Sequence, residues 1–317
     1  MASTEGPSRL RPLGSRSPVA GGIDGYLPGN GIRLATTRWP AAGMPVVLLH
    51  GLASQRRYWN LVVADLAPSS VLAIDLRGHG DSDQPESGYG FEEVTADVAV
   101  ALDAAGLSRA VFVGHSWGAA VALSLAARYP QRALAVVAID GGALTPAEPG
   151  QSRDELRRRL EPPRFAVPEA ELPARLRTGP LQHSWSADIE QAVLPIFGAD
   201  NDGLVRARLP FDLHMQVVDA LLDYDALDVV SRVRCPAWLV SCEPLRTEVG
   251  DDPGADYARR KAAAFDQAAA RLARPRLLRW GGAVHDVPLQ WPDLTAGLIR
   301  AAVRDTGVDP TAEGAEP

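Results

Sequence analysis

The run Ala110-Val111-Phe112-Val113-Gly114-His115-Ser116-Trp117-Gly118-Ala119-Ala120 decides the fold. Residues 110–113 are apolar throughout and read as a buried strand. Residues 114–118 spell G-x-S-x-G, and the Ala- and Leu-rich stretch that follows reads as a helix ending at Tyr129, before Pro130. The context makes the short pattern informative. A turn between strand and helix is so tight that small residues must flank the serine, whose hydroxyl then points away from the sheet. Such a serine is a candidate nucleophile, but a weak one until a base takes its proton.

Working outward, the same alternation repeats. Short runs at 32–37, 46–49, 71–74, 134–139, 237–241 and 276–279 read as strands, most of them nearly all apolar, as expected where a strand is covered on both faces. Between them, Phe91, Val94, Val98 and Leu102 mark one face of a helix closed by Gly106. A further helix is expected over 257–272, with Asp256 as its N-cap. Strand–helix alternation predicts an α/β fold, a doubly wound and mostly parallel sheet of about eight strands. The rhythm breaks over 145–230, where Pro146, Pro149, Pro162, Pro163, Pro168, Pro173 and Pro180 fall and no strand pattern appears. That stretch reads as a mostly helical insertion packed over the sheet edge. The core is expected at 23–144 and 231–305. Residues 1–22 and 306–317 read as disordered tails.

Composition narrows the function classes. Of 317 residues, 46% are hydrophobic and 22% charged, a globular balance. A formal net charge of −7 argues against a nucleic-acid or anionic-membrane surface. Lys261 is the only lysine; it lies in a polar helical run and reads as surface. The two cysteines, Cys235 and Cys242, bracket a strand pattern that holds them roughly 23 Å apart, so no disulfide is expected between them. Two unpaired thiols suggest a reducing, cytoplasmic setting. No apolar run reaches the ~18 residues of a membrane span, and the N-terminus lacks the apolar run of a secretion signal. Neither a metal motif nor a dinucleotide loop is present, so no cofactor and no metal are expected. The expected partner is a small-molecule substrate; oligomeric state is left open.

Six histidines could supply the base. His50, His79 and His115 lie in glycine-flanked turns and read as structural. His183 and His214 lie in the insertion, as pocket or surface lining. His285, in the segment 281–288 after the last strand, can reach a serine at another strand's C-terminal end and is the candidate general base. Gly51 lets the chain turn after the strand at 46–49, aiming the Leu52 N–H at the serine. With the Trp117 N–H it would form an oxyanion hole.

His50-Gly51, Asp75-Leu76-Arg77-Gly78-His79-Gly80-Asp81-Ser82, Gly114-His115-Ser116-Trp117-Gly118 and His285 stand in the order and spacing of the α/β-hydrolase fold family. Over residues 23–304 the chain resembles that family, and within it the serine hydrolases with a helical cap inserted after strand six, which the Pro-rich insertion over 145–230 matches. The resemblance implies a catalytic triad of Ser116, His285 and an acid. In many relatives the acid follows the seventh strand in a G-x-x-D pattern. Here Cys242 stands where the glycine would be and Leu245 where the aspartate would be. Another family solution puts the acid after strand six, where Asp140 sits. Glu243, Glu248, Asp251 and Asp252 stay open beside it, as does a purely turn-forming role for Asp140 before Gly141-Gly142. Asp286 adjoins His285 too closely to face its ring. Residues 75–82 read as a structural turn, with Arg77 or His79 able to border the pocket.

The leading expectation is a cofactor-independent serine hydrolase that cleaves a small carboxylic ester or lactone through an acyl-enzyme on Ser116. Epoxide hydrolases and haloalkane dehalogenases share the fold but use a carboxylate nucleophile, which Ser116 disfavours. Carbon–carbon bond hydrolases, amidases, aminopeptidases and cofactor-free haloperoxidases keep the serine and remain alternatives. An aminopeptidase would need a carboxylate for the substrate ammonium; Glu169, Glu171, Asp188 and Glu190 are available in the cap. A small-molecule receptor that retains the triad is the non-enzymatic alternative. Trp185, Phe197, Phe211 and Met215 could line an apolar pocket or form the cap's core.

Overall fold

Runs of aliphatic residues buried on both faces build the central sheet. The computed structural model describes residues 10–13, 21–144, 151–164, 166–243 and 253–308. In chain order the strands are β1 (Arg11–Pro12), β2 (Ile23–Pro28), β3 (Arg33–Trp39), β4 (Gly43–Leu49), β5 (Ser69–Ile74), β6 (Ala110–His115), β7 (Ala133–Ile139), β8 (Val167–Pro168), β9 (Phe197–Ala199), β10 (Leu204–Ala207), β11 (Ala237–Glu243) and β12 (Pro275–Gly281). Eight form one sheet in the order β12-β11-β7-β6-β4-β5-β3-β2. The six strands from β12 to β5 run parallel, and β3 and β2 add antiparallel at one edge.

Every residue of β6 and β7 is buried. Successive side chains serve opposite faces: Val47, Leu49 and Phe112 enter one core cluster, Val46, Leu48, Val111 and Val113 the other. Helices Phe91–Ala104, Trp117–Arg128 and Pro253–Arg271 cover the first face, supplying Val98, Leu123 and Phe265. Helix Pro292–Asp305 covers the second with Leu298 and Ile299. The chain crosses from β5 on one side of β4 to β6 on the other. The C-terminal ends of β4 and β6 therefore flank the topological switch point, where open α/β sheets place their sites.

The expected sheet is present, with differences at its edges. β2 escaped the sequence pattern because nearly all of its side chains are exposed and it contains Gly25 and Pro28. Helix Pro253–Arg271 starts before Asp256, which lies in the first turn instead of capping it. Inside the insertion, strands appear where only helices were expected. β8, β9 and β10 join β1 in a second, four-stranded sheet, order β1-β9-β10-β8. These strands have two to four residues, too short for a period to register. Their hairpin does carry a turn signal: the Asp200 carboxylate accepts the N–H groups of Asp202 and Leu204 at 3.1 and 2.9 Å, and Gly203 has φ +75°.

The span expected as an N-terminal tail also supplies structure. β1 pairs antiparallel with β9, and Leu13 is buried in the cap's own apolar cluster. Helix Ala226–Arg232, most of which falls inside 145–230, packs on the core through Ala226, Val229 and Val230. Pro146, Pro149, Glu248, Asp251 and Asp252 lie outside the described residues, as does most of both tails.

Candidate active site

The site grows from four strand ends. β6 runs directly into helix Trp117–Arg128, and Ser116 between them is held at φ 56°, ψ −119°. A non-glycine residue there carries backbone strain, which the surroundings must enforce. They do so by close approach. A Cβ on Gly114 would lie 2.0 Å from the Gly118 carbonyl oxygen, and one on Gly118 would lie 2.3 Å from the Leu49 carbonyl oxygen. Only glycine fits at either position, so the elbow packs backbone against backbone.

From the other side, the loop after β12 brings His285. Its Nε2 lies 3.0 Å from Ser116 Oγ, and its Nδ1–H donates to Asp140 Oδ2 at 2.6 Å. Asp140 follows β7 and has a left-handed backbone, φ +50°. Its other oxygen, Oδ1, accepts the Cys242 N–H at 2.8 Å and lies 2.5 Å from Lys261 Nζ. The two oxyanion candidates stand on neighbouring elements. Trp117 opens its helix, where an N–H has no intrahelical acceptor. Leu52 sits in the turn after β4, closed by the Ser54 N–H donating to the Gly51 carbonyl at 3.1 Å. A Cβ on Gly51 would approach Ser116 Cβ to 3.1 Å, so this turn lies against the serine.

A family model described as the alpha/beta hydrolase fold matches residues 44–165. The crystal structure of an E-2-(acetamidomethylene)succinate hydrolase superposes with a TM-score of 0.68, covering 89% of this chain and 99% of that one at 24% identity. This chain has the α/β-hydrolase fold. Among curated relatives of this α/β-hydrolase-fold protein, epoxide hydrolase A of Mycobacterium tuberculosis (strain ATCC 25618 / H37Rv) is 39% identical over 124 residues, 38% of each chain. The 2-(acetamidomethylene)succinate hydrolase of Mesorhizobium japonicum (strain LMG 29417 / CECT 9101 / MAFF 303099) is 33% identical over 124 residues, 39% of this chain and 44% of that one. The matches thus span about two fifths of these relatives' lengths.

The electrostatics of this α/β-hydrolase-fold protein sort its histidines. Burial would raise the Asp140 carboxyl, but the hydrogen bond from His285 and the Lys261 ammonium hold it down to about 2. Desolvation would lower His285, and the hydrogen bond to Asp140 outweighs it, so the imidazole titrates above its ordinary value. His50, His79 and His115 behave oppositely. Burial, reinforced by neighbouring charges, lowers them to about 4, 3 and 4. His50 Nδ1–H donates to the Gly51 carbonyl and its Nε2 accepts the Leu76 N–H, which fixes the β4 turn. His79 stacks on Trp117, and His115 Nε2–H donates to the His285 carbonyl at 2.8 Å, tying the base's loop to the elbow.

Other candidates lie elsewhere. Glu243 pairs with Arg279 and does not reach His285. Asp286 accepts the Tyr58 hydroxyl at 3.3 Å. Arg77 is buried against Asp97, at 2.6 and 2.8 Å. The turn at 75–82 is structural: buried Asp75 binds the Arg56 side chain and the Arg56 and Asp81 N–H groups. His183 is exposed. His214 lines a cavity of about 1190 Å³ between core and cap, together with Ala53, Arg57, Gln84, Arg164 and Phe211. Ala53 follows Leu52, so this cavity adjoins the turn against Ser116, although neither Ser116 nor His285 lines it. Phe197 and Met215 are buried, and Trp185 donates to Glu190.

Lys261 is the correction that matters most. It reads as surface in the sequence, yet its side chain is 11% exposed, bound to Asp140 and donating to the Cys242 carbonyl at 2.7 Å. The spacing carried a signal. Lys261, Phe265, Ala268 and Leu272 fall on one helical stripe, and the last three are buried.

Proposed function

We propose that this protein is a serine hydrolase that cleaves a small carboxylic ester or lactone through an acyl-enzyme on Ser116. The observation that carries the reading is the unbroken chain from Ser116 Oγ through His285 to Asp140, at 3.0 and 2.6 Å. His285 Nε2 takes the hydroxyl proton as Oγ attacks the carbonyl carbon. The oxyanion faces the N–H groups of Leu52 and Trp117. As the intermediate collapses, the imidazolium returns the proton to the leaving alkoxide; in a lactone that alcohol stays tethered to the acyl chain. Water then attacks the ester on Ser116 as His285 accepts its proton; collapse of the intermediate breaks the bond to Oγ, the imidazolium returns the proton to Ser116 Oγ, and the carboxylic acid leaves. Asp140 holds Nδ1–H in place and stabilises the imidazolium at each step.

Two chemical arguments support an acyl substrate. A serine that opened an oxirane would become an ether, which water does not cleave, so turnover would stop after one event. The cap carboxylates an aminopeptidase would need are engaged or exposed: Glu169 pairs with Arg11, Glu190 with Arg177, and Glu171 and Asp188 are exposed.

Incubation with a fluorophosphonate followed by peptide mapping tests the proposal. The expected result is one adduct, on Ser116, that Ser116→Ala abolishes together with ester and lactone turnover, by several orders of magnitude. No adduct on folded protein, or a ligand bound saturably without turnover, overturns it in favour of the receptor reading.

A further inference from the structure

We propose that Lys261 is a positioning residue of this site: its ammonium pins Asp140 in the orientation that faces His285 and tempers the carboxylate's pull on the imidazole. The inference rests on the triad reading above. Lys261 Nζ lies 2.5 Å from Asp140 Oδ1, on the oxygen opposite the one His285 uses. The carboxylate is therefore gripped from both ends, by Lys261 and the Cys242 N–H on Oδ1 and by His285 on Oδ2. Both members of the ion pair are shielded, with Asp140 2% and Lys261 11% exposed. Electrostatic influence is strong where water is excluded.

The geometry makes the lysine specific. It reaches Asp140 from helix Pro253–Arg271, an element that supplies no other group to the triad. The Cys242 carbonyl takes a second ammonium proton at 2.7 Å, fixing where the charge sits. Asp140 occupies a left-handed backbone position, φ +50°. The ammonium joins the Cys242 N–H on Oδ1 and so leaves Oδ2 for His285.

Among the described residues, few other charges face His285. Asp286 adjoins it and is held by the Tyr58 hydroxyl. His115 contacts the base's loop, and burial keeps it neutral near pH 7. Burial, with Asp140 beside it, raises the Cys242 thiol, which stays protonated. Glu243 is taken by Arg279. Among the described residues, Lys261 is thus the cation positioned to offset Asp140, and it acts to lower the His285 titration point.

The test is the His285 imidazole titration, followed by NMR in the full-length protein and so independent of any substrate. In Lys261→Met and Lys261→Gln, Asp140 acts undiluted, and the midpoint is expected to rise by about half to one pH unit. Lys261→Arg, which keeps the charge, should stay near wild type. Asp140→Asn must move the midpoint downward, which verifies the assay. With a turnover substrate, the acid limb of kcat/KM should follow the same order, kcat should fall about tenfold in Lys261→Met, and KM should change less than twofold. A His285 midpoint unchanged in both neutral variants overturns the proposal and leaves Lys261 a structural ion pair. Gln retains a donor for the Cys242 carbonyl, so the test survives if the Met variant fails to fold. Failure of the phosphonate adduct with a shifted His285 midpoint would reject the hydrolase reading and keep this one.

Discussion

At the scale of single residues, Ser116→Ala should leave the thermal transition near wild type while phosphonate labelling disappears; persistent labelling would place the reactive hydroxyl elsewhere. Ser116 announced itself through its flanking glycines and His285 through its place after the last strand. Asp140 competed with four other carboxylates because a turn-forming Asp and a histidine-orienting Asp look alike in sequence; only the 2.6 Å contact to Nδ1 separates them. Asp140→Asn should therefore cost about 10³- to 10⁴-fold in kcat, because a carboxamide cannot hold the same tautomer; an unchanged rate would break the role assigned to it. The pH dependence has a definite sign. His285 titrates above the ordinary imidazole value and works when neutral, so kcat/KM should fall as pH drops through a midpoint above 6.5. Asp140 shifts the other way. Its contribution to stability is complete above 3.8, the ordinary value, and should fade as pH falls toward about 2. Acid unfolding followed by circular dichroism should show that loss in wild type and a weaker one in Asp140→Asn. Lys261 was hidden by its type: a lone lysine among arginines suggests solvent, and only its stripe mates Phe265, Ala268 and Leu272 argued otherwise.

Among elements, legibility mostly tracked burial, with β12, largely exposed but still expected, as the exception. Strands covered on both faces, such as β6 and β7, wrote themselves as unbroken apolar runs. β2, exposed along most of its length, wrote nothing. The cap's strands fell below the length at which any period can be counted. The elbow is where an element boundary carries the most consequence. Gly118→Ala would drive a methyl to 2.3 Å from the Leu49 carbonyl oxygen, and backbone cannot rotate away as a side chain can. The helix start must then separate from the end of β4, which carries the Leu52 turn. Urea unfolding should show a loss of about 2 kcal/mol or more, and phosphonate labelling of Ser116 should slow at least tenfold. A variant with wild-type stability and labelling would mean that the elbow does not depend on this approach.

At the scale of the molecule, cap and core are stitched together by backbone acceptors. Arg208 donates to the Gly80 carbonyl at 2.5 Å, to Asp81 at 2.8 Å and to its own cap's Pro195 carbonyl at 3.2 Å, while Gln55 donates to the Ala192 carbonyl at 3.1 Å. Arg208→Ala should leave the core's thermal transition near wild type and speed tryptic cleavage within 153–222 several-fold; an unchanged cleavage rate would mean that apolar packing alone seats the cap. The break in the strand–helix rhythm leads to the expectation of an insertion over 145–230. The return of helix Ala226–Arg232 to the core within that span was not legible, because it precedes the point where the rhythm resumes. Nor was the insertion's dependence on β1, whose partner strand lies far along the chain. That pairing has a consequence for synthesis and for transplantation. As the polypeptide leaves the ribosome, residues 11–12 emerge long before Gly198 and Ala199 exist to receive them, so this edge of the cap closes only after the β6 elbow and most of the parallel sheet have been made. A recombinant chimera that borrowed the insertion as one contiguous cassette would receive β9 with its outer backbone groups bare, ready to pair with whatever strand came first.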